Sequence, residues 1–218
     1  MSAKPAPPYD WRDLGHDLAA VIAHLNLHDV IGVGHSLGGH AITFAATLAP
    51  ARFARLVLLD PTIMPKAVYG MGDAPPHFSA RRRNEWTGPD DMEARFRERP
   101  PFNRWQPRVL HDYCEYGLLP NPDGPDMVLA CPPLIEAGLY QTGNRANIYA
   151  DLSRATMPIQ VVRAATPMIP GKWDMLASPT EPTLAQHFPD ATDLVLPDHS
   201  HFIPMEDPAL VARLIAAG

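Results

Sequence analysis

The hydrophobic positions of this chain change period several times, and the changes mark out its elements. Trp11, Leu14, Leu18, Val21, Ile22 and Leu25 recur at spacings of three and four, which predicts a helix with one apolar stripe and Asp10 placed to cap its N-terminus. The Pro-rich residues before it, 1–10, suit neither a helix nor a central strand. Val30-Ile31-Gly32-Val33 is a short continuous apolar run, as a buried parallel strand shows. Gly39-His40-Ala41-Ile42-Thr43-Phe44-Ala45-Ala46 continues as a helix to about Leu48, where Ala49-Pro50 ends it. Leu56-Val57-Leu58-Leu59 reads as a second buried strand, ending at Asp60-Pro61.

From Ile63 to about Thr156 the alternation of strand and helix stops. Pro, Arg and aromatic residues dominate there, with short helical patterns at 92–97 and 109–116 and a loop-like Pro120-Asn121-Pro122-Asp123-Gly124-Pro125. Alternation then resumes with a strand at 159–162, a helix at 182–188, a strand at 194–196 and a last helix at 208–216. Strands alternating with helices predict an α/β fold with a parallel sheet covered on both faces. An insertion of this size between two sheet strands is most simply a helical cap over an active site. The expected division is therefore a core of residues 1–62 and 157–218 and a cap of residues 63–156.

Composition narrows the function classes. A chain of 218 residues is long enough for one sizeable core. Its net charge of −6 argues against a nucleic-acid binder, since the one dense basic cluster, Arg81-Arg82-Arg83, is followed closely by Glu85, Asp90, Asp91 and Glu93. Two cysteines and no charged-then-apolar leader indicate neither a disulfide framework nor a secretory signal, so a cytoplasmic location is expected. No apolar run approaches bilayer length, and no C-x-x-C or H-E-x-x-H spacing points to a metal; no cofactor, nucleic acid or membrane partner is expected. The 26 prolines accompany a 46% hydrophobic share, which makes them loop punctuation in a folded protein.

The chemistry gathers around Gly34-His35-Ser36-Leu37-Gly38, a G-x-S-x-G pattern between the predicted strand and the Ala-rich helix. A serine at the tip of such a turn takes a strained backbone conformation that lifts its hydroxyl clear of the sheet, and the glycines two positions on either side remove side chains that would collide. The competing reading, a Gly-rich loop binding phosphate at a helix N-terminus, is weakened because no Lys follows. A serine nucleophile needs a base, and that base needs an orienting group. The candidate base is His201, in Asp198-His199-Ser200-His201-Phe202-Ile203-Pro204-Met205-Glu206-Asp207-Pro208, just before the last helix; His199 is its competitor.

On these motifs the chain resembles an α/β-hydrolase, whose catalytic histidine lies in a loop of the form H-F-x-P-x-E-x-P and whose triad runs Ser, acid, His along the chain. The resemblance implies Ser36 as nucleophile and His201 as base. For the acid, the family's usual place is the loop after the strand at 159–162. Arg163-Ala164-Ala165-Thr166-Pro167 holds no carboxylate, so Asp174, further along that loop, is the first choice. Asp60 is the second, because some members carry the acid at the end of the strand after the nucleophile strand. The backbone N–H of Leu37 would be the first oxyanion donor. Tyr113, Tyr116, Trp105 and Phe102 are candidates to line an apolar acyl pocket, or plain cap core.

The resemblance also implies an absence. Met1-Ser2-Ala3-Lys4-Pro5 looks like the family's loop after its fourth strand, and no His-Gly oxyanion loop precedes Trp11. The expectation is an α/β-hydrolase fold that is N-terminally truncated, with Val30 to Val33 at an open sheet edge and self-association through that edge. The expected function is hydrolysis of a carboxylic ester or related small acyl substrate through an acyl-enzyme. The alternative is an impaired or inactive hydrolase-like protein that at most binds a small apolar ligand.

Overall fold

The computed structural model describes residues 7–71, 77–169 and 174–217; the Met1-to-Pro5 segment lies outside them. The core elements are α1 (Trp11–His24), β1 (Val30–His35), α2 (Leu37–Leu48) and β2 (Phe53–Leu59). After the insertion come β6 (Ile159–Ala164), β7 (Ala191–Leu196), α6 (Ile203–Glu206) and α7 (Pro208–Ala216). The insertion itself holds β3 (Glu85–Trp86), α3 (Pro89–Phe96), α4 (Pro107–Tyr116), β4 (Leu118–Pro120), β5 (Met127–Leu129) and α5 (Pro133–Gln141).

Four parallel strands form the main sheet in the order β1-β2-β6-β7. Side chains alternate across it with the two-residue period of a strand. From β2, Leu56 and Leu58 join Ile159 and Val161 of β6 in a core with Ile42, Phe44, Ala45 and Ala46 of α2. The intervening Val57, Leu59 and Val162 face the other way, against Ile203 and Val211. The sheet is thus sandwiched between α1 and α2 on one face and α6 and α7 on the other. α2 buries every residue from Gly39 to Thr47, so its apolar positions show no single stripe.

The structure redraws three predicted elements. In α1, Trp11, Gly15 and Ile22 are buried, whereas Val21 and Leu25 are 51% and 58% exposed, so the stripe that packs is narrower than its sequence spacing. Gly15 sits on this face because a Cβ there would lie 2.8 Å from Phe44 Cδ1 and 3.1 Å from the Ala41 carbonyl oxygen. Residues 182–188 form only a short 3-10 helix, Leu184–His187; Pro182 and Pro189 bracket it, and Pro189 holds Phe188 extended. The insertion is not purely helical: β4 and β5 flank the Pro120-to-Pro125 turn and, with β3, make a three-stranded antiparallel sheet. Its core is Trp86, Met92, Trp105, Leu110, Cys114, Leu118 and Leu129. Ile148, Leu152 and Ala155, late in the interval expected to be cap, instead pack in the core beneath α2.

Among the described residues β1 pairs only with β2, at the edge of the sheet. Gly32 and Gly34 face α2, and Ile31 and Val33, which share the face of Val57, are 46% and 38% exposed. The side chain missing from Gly34 matters most. A Cβ there would lie 2.5 Å from the Gly38 carbonyl oxygen, 2.7 Å from its carbon and 2.7 Å from Gly39 Cα, all backbone atoms that cannot swing aside. A Cβ on Gly39 would meet Pro61 Cβ at 2.6 Å, while one on Gly38 would meet nothing within 4 Å. The close approach that shapes the turn therefore rests on Gly34 and Gly39, not on Gly38. We expect Gly34→Ala to destabilise the chain by about 2–3 kcal/mol or prevent folding, and Gly38→Ala to fall within about 0.5 kcal/mol of wild type, in urea unfolding followed by circular dichroism.

Candidate active site

Three elements deliver the site. Ser36 stands between β1 and α2 with φ 54° and ψ −124°, a region that residues other than glycine rarely occupy. The turn is held by its own backbone: Ser36 N–H donates to the Leu59 carbonyl at 3.2 Å, and the Ser36 carbonyl accepts from Gly39, His40 and Thr62 N–H at 3.0, 3.2 and 3.0 Å. Asp60 follows β2, also at positive φ (44°). His201 lies in the loop between β7 and α6.

These side chains form one hydrogen-bonded line. His201 Nε2 is 3.0 Å from Ser36 Oγ, and His201 Nδ1 is 2.7 Å from Asp60 Oδ2. A carboxylate can only accept, so the proton of the neutral imidazole is on Nδ1 and Nε2 presents its lone pair to the serine hydroxyl. Ser36 Oγ also lies 3.2 Å from Thr62 Oγ1. Because the serine's single proton points at the imidazole, Thr62 is the donor in that contact.

Asp60 is fully buried, and its other oxygen accepts from Ala164 N–H at 2.9 Å and Ser178 Oγ at 2.7 Å. Thr180 Oγ1 is 3.5 Å away but donates to the Pro61 carbonyl at 2.8 Å, which takes its only proton. Both oxygens of this buried carboxylate are thus supplied with donors.

The acid at the ring is Asp60, and the expectation that Asp174 faces His201 is not met. Asp174 is exposed and spends Oδ1 on the N–H of Leu176 at 2.9 Å, a local turn. Its contribution is indirect, since the Leu176 carbonyl accepts from His201 N–H at 2.9 Å. The reason lies in the strand order. β2 runs between β1 and β6, so the residue after it emerges beside the serine turn. His199 does not compete for the serine; its Nε2 lies 4.0 Å from Asp207 Oδ2. Phe102 stacks on Phe96 and meets Trp105 edge-on, and Trp105 meets Tyr113 edge-on, all within the core of the insertion, while Tyr116 is 76% exposed. Leu37 opens α2, so its N–H has no carbonyl partner within the helix.

Thr62, Ser178, Arg104 and Glu206 were not singled out as site residues by sequence reasoning. For Glu206 a signal existed, its place in the histidine-loop pattern. The other three are joined to the site only by the fold.

The chain belongs to the alpha/beta hydrolase family: the model of that family matches residues 3–214. Its members are hydrolase enzymes. Among characterised relatives, the abhydrolase domain-containing protein AFT2-1 of Alternaria alternata is 28% identical, over 86% of this chain and 81% of that protein. A type I acyl-CoA thioesterase, mpaH of Penicillium roqueforti, is 34% identical, over 54% of this chain and 29% of its own. The peroxisomal alpha-beta-hydrolase Lpx1 of Saccharomyces cerevisiae superimposes with a TM-score of 0.77 at 17% identity, over 96% of this chain; this chain spans 59% of it. The crystal structure of E-2-(acetamidomethylene)succinate hydrolase matches with a TM-score of 0.74 at 22% identity, over 100% of this chain and 76% of that one.

A second histidine beside the site sets a pH dependence. His35 Nε2 donates to the His201 carbonyl at 2.7 Å, with the two rings 4.8 Å apart. Burial, with a further push from His201, lowers its pKa from 6.5 to about 4, despite the opposing pull of that hydrogen bond and of Asp60. His40, buried on α2 and bonded to the Ala146 carbonyl, is lowered for the same main reason, burial. Both therefore stay neutral in the folded chain at pH values where the unfolded chain takes up protons. The stabilisation from His35 is complete above about pH 6.5 and is lost as pH falls toward about 4. We expect the urea midpoint to drop between pH 7 and 5, with His35 supplying on the order of 1–2 kcal/mol of the loss. His35→Gln, which can still donate to the His201 carbonyl, should flatten the dependence; an equal slope in that variant would refute the assignment.

Proposed function

We propose that this chain hydrolyses a carboxylic ester or a related small acyl compound, a thioester included, through an acyl-enzyme on Ser36. The observation that carries the reading is the unbroken line from buried Asp60 through His201 to Ser36 Oγ. Ser36 Oγ attacks the acyl carbon while its proton passes to His201 Nε2. The imidazolium is stabilised by Asp60, which accepts the Nδ1 proton and is not itself protonated. His201 then gives the proton to the departing alkoxide or thiolate as the acyl–heteroatom bond breaks. In the second half a water loses its proton to Nε2 and attacks the ester, and the proton returns to Ser36 as the acid leaves.

The Leu37 N–H, at the first position of α2 beside the nucleophile, is the donor on this chain placed to meet the oxyanion. Thr62 O–H stabilises charge on Ser36 Oγ as the proton departs. The acyl-directed name of one relative, the mpaH acyl-CoA thioesterase, is in keeping with an acyl substrate.

A fluorophosphonate probe tests the reading directly. Wild-type protein should be labelled at Ser36, and Ser36→Ala should neither label nor hydrolyse p-nitrophenyl esters while keeping its unfolding midpoint within about 1 kcal/mol. Failure of a folded wild-type sample to label would support the inactive, ligand-binding alternative. For the acid, Asp60→Asn should lower kcat by roughly ten-thousand-fold by favouring the wrong imidazole tautomer. Asp174→Asn should change kcat by no more than a few-fold, and the reverse ranking would return the role to Asp174.

A further inference from the structure

The histidine loop is fastened to the cap by one short segment. In the 3-10 turn Phe102–Arg104, Arg104 Nε donates to Glu206 Oε1 at 2.7 Å and its Nη2 donates to the Asp198 carbonyl at 2.9 Å, with Glu206 Oε2 3.4 Å away. Two residues on, Gln106 N–H donates to the Met205 carbonyl at 2.9 Å and Gln106 Nε2 to the Glu206 carbonyl at 3.0 Å. Between them Trp105 packs on Phe202 with ring centroids 5.5 Å apart. The cap residues 104–106 thus grip the loop on both sides of His201.

Glu206 passes that grip to the base. Its side chain is 7% exposed and accepts from Ser200 N–H at 3.0 Å and from Ser200 Oγ at 2.5 Å. The same Ser200 oxygen accepts from Phe202 N–H at 3.2 Å. One hydroxyl therefore ties the residues immediately before and after His201, and a carboxylate paired with Arg104 holds that hydroxyl.

We infer that Arg104 is a positioning residue for His201: through Glu206 and Ser200, the cap sets the imidazole's place between Asp60 and Ser36. The inference rests on the triad reading above for its consequence in activity, and on geometry alone for its consequence at the ring. Burial pushes the Glu206 carboxyl up, and the bonds from Arg104 and Ser200 more than offset this, so it stays below its ordinary value. Without the guanidinium, the strongest of the interactions that offset burial is lost. The other charged or titratable groups at this loop are Asp198, which offers its backbone carbonyl to Arg104, His199 with Asp207, 4.0 Å from each other, His201 with Asp60 at its ring, and His35, which donates to the His201 carbonyl. None of these is a cation bonded to Glu206. On falling pH the lone carboxylate should then protonate, losing acceptor capacity for Ser200.

The test compares the whole chain with Arg104→Met, which keeps an apolar stem, and with Arg104→Lys. The first readout does not need activity: the low-field proton resonance of the His201 Nδ1–H against Asp60, assigned by its loss in His201→Gln. In Arg104→Met it should broaden by exchange with water, increasingly from pH 8 to 5, and Arg104→Lys should restore most of it. The second is p-nitrophenyl acetate hydrolysis, where Arg104→Met should lower kcat about ten-fold at pH 7.5 with KM within two-fold, and its acid limb should move to higher pH. A folded Arg104→Met with the wild-type resonance from pH 5 to 8 overturns the inference. Should Arg104→Met not fold, Ser200→Ala cuts the same link next to the histidine, and an unchanged resonance there overturns it equally. A wild-type chain that shows the resonance but no Ser36-dependent hydrolysis fails the proposed function and leaves the resonance comparison to decide this one.

Discussion

The buried carboxylate of Asp60 is the constraint to which the rest of this structure answers. A fully buried charge is costly unless donors surround it, and here the donors come from three places in the chain. Ala164 N–H comes from the end of β6, the Ser178 hydroxyl from the loop that follows, and His201 from the loop after β7. Removing any one would leave the carboxylate short of a partner, so the geometry of the base is tied to the cost of burying the acid. The positive φ of Asp60 belongs to the same arrangement, because it turns the chain directly after Leu59 and lets Asp60 N–H donate to the Val162 carbonyl at 2.6 Å. Local strain is held by a densely bonded surrounding.

The turn at Ser36 obeys the same logic with backbone instead of charge. Ser36 can hold its strained conformation because its carbonyl is shared among three N–H donors and because nothing protrudes from Gly34 or Gly39. Gly39 lies against Pro61 and Thr62 N–H bonds the Ser36 carbonyl, so the turn and the acid's strand end form one packed unit. A change at residues 60–62 is felt at the serine through these contacts.

Local patterns in the sequence pick out Ser36 and His201, which the structure brings together, but rank Asp60, the carboxylate at the ring, second to Asp174. Gly34 to Gly38 sits between a continuous apolar strand and an Ala-rich apolar helix, and His201 opens an H-F-x-P-x-E-x-P run, so each is specified by its neighbours along the chain. Asp60 is specified by its neighbours across the sheet. Nothing within ten residues of Asp60-Pro61 tells a buried acid from a turn, and only the order β1-β2-β6 brings it beside Ser36. The same reasoning explains α1. Its sequence period marks an apolar stripe, but which part of that stripe is covered depends on where α2 lies, and Val21 and Leu25 fall outside that contact. In the cap, strands of two or three residues carry too little alternation to be read in advance.

The histidine loop is where the main sheet and the insertion meet, and its bonds show how such a loop stays ordered without regular structure. A buried loop must find partners for every backbone group it hides. His201 N–H goes to Leu176, its carbonyl to His35, and the groups on either side to Ser200 and Glu206. The His35 ring ties the loop to the turn at Ser36 and the Arg104 guanidinium ties it to the insertion, so the imidazole is placed by two elements far apart in sequence. Positioning from two sides matters because the line to Ser36 depends on distance and direction at both ring nitrogens. A base attached only through its own short loop would lose that line through small backbone motions, whereas here such motion would have to break a neutral imidazole bond on one side or a charge-assisted bond on the other.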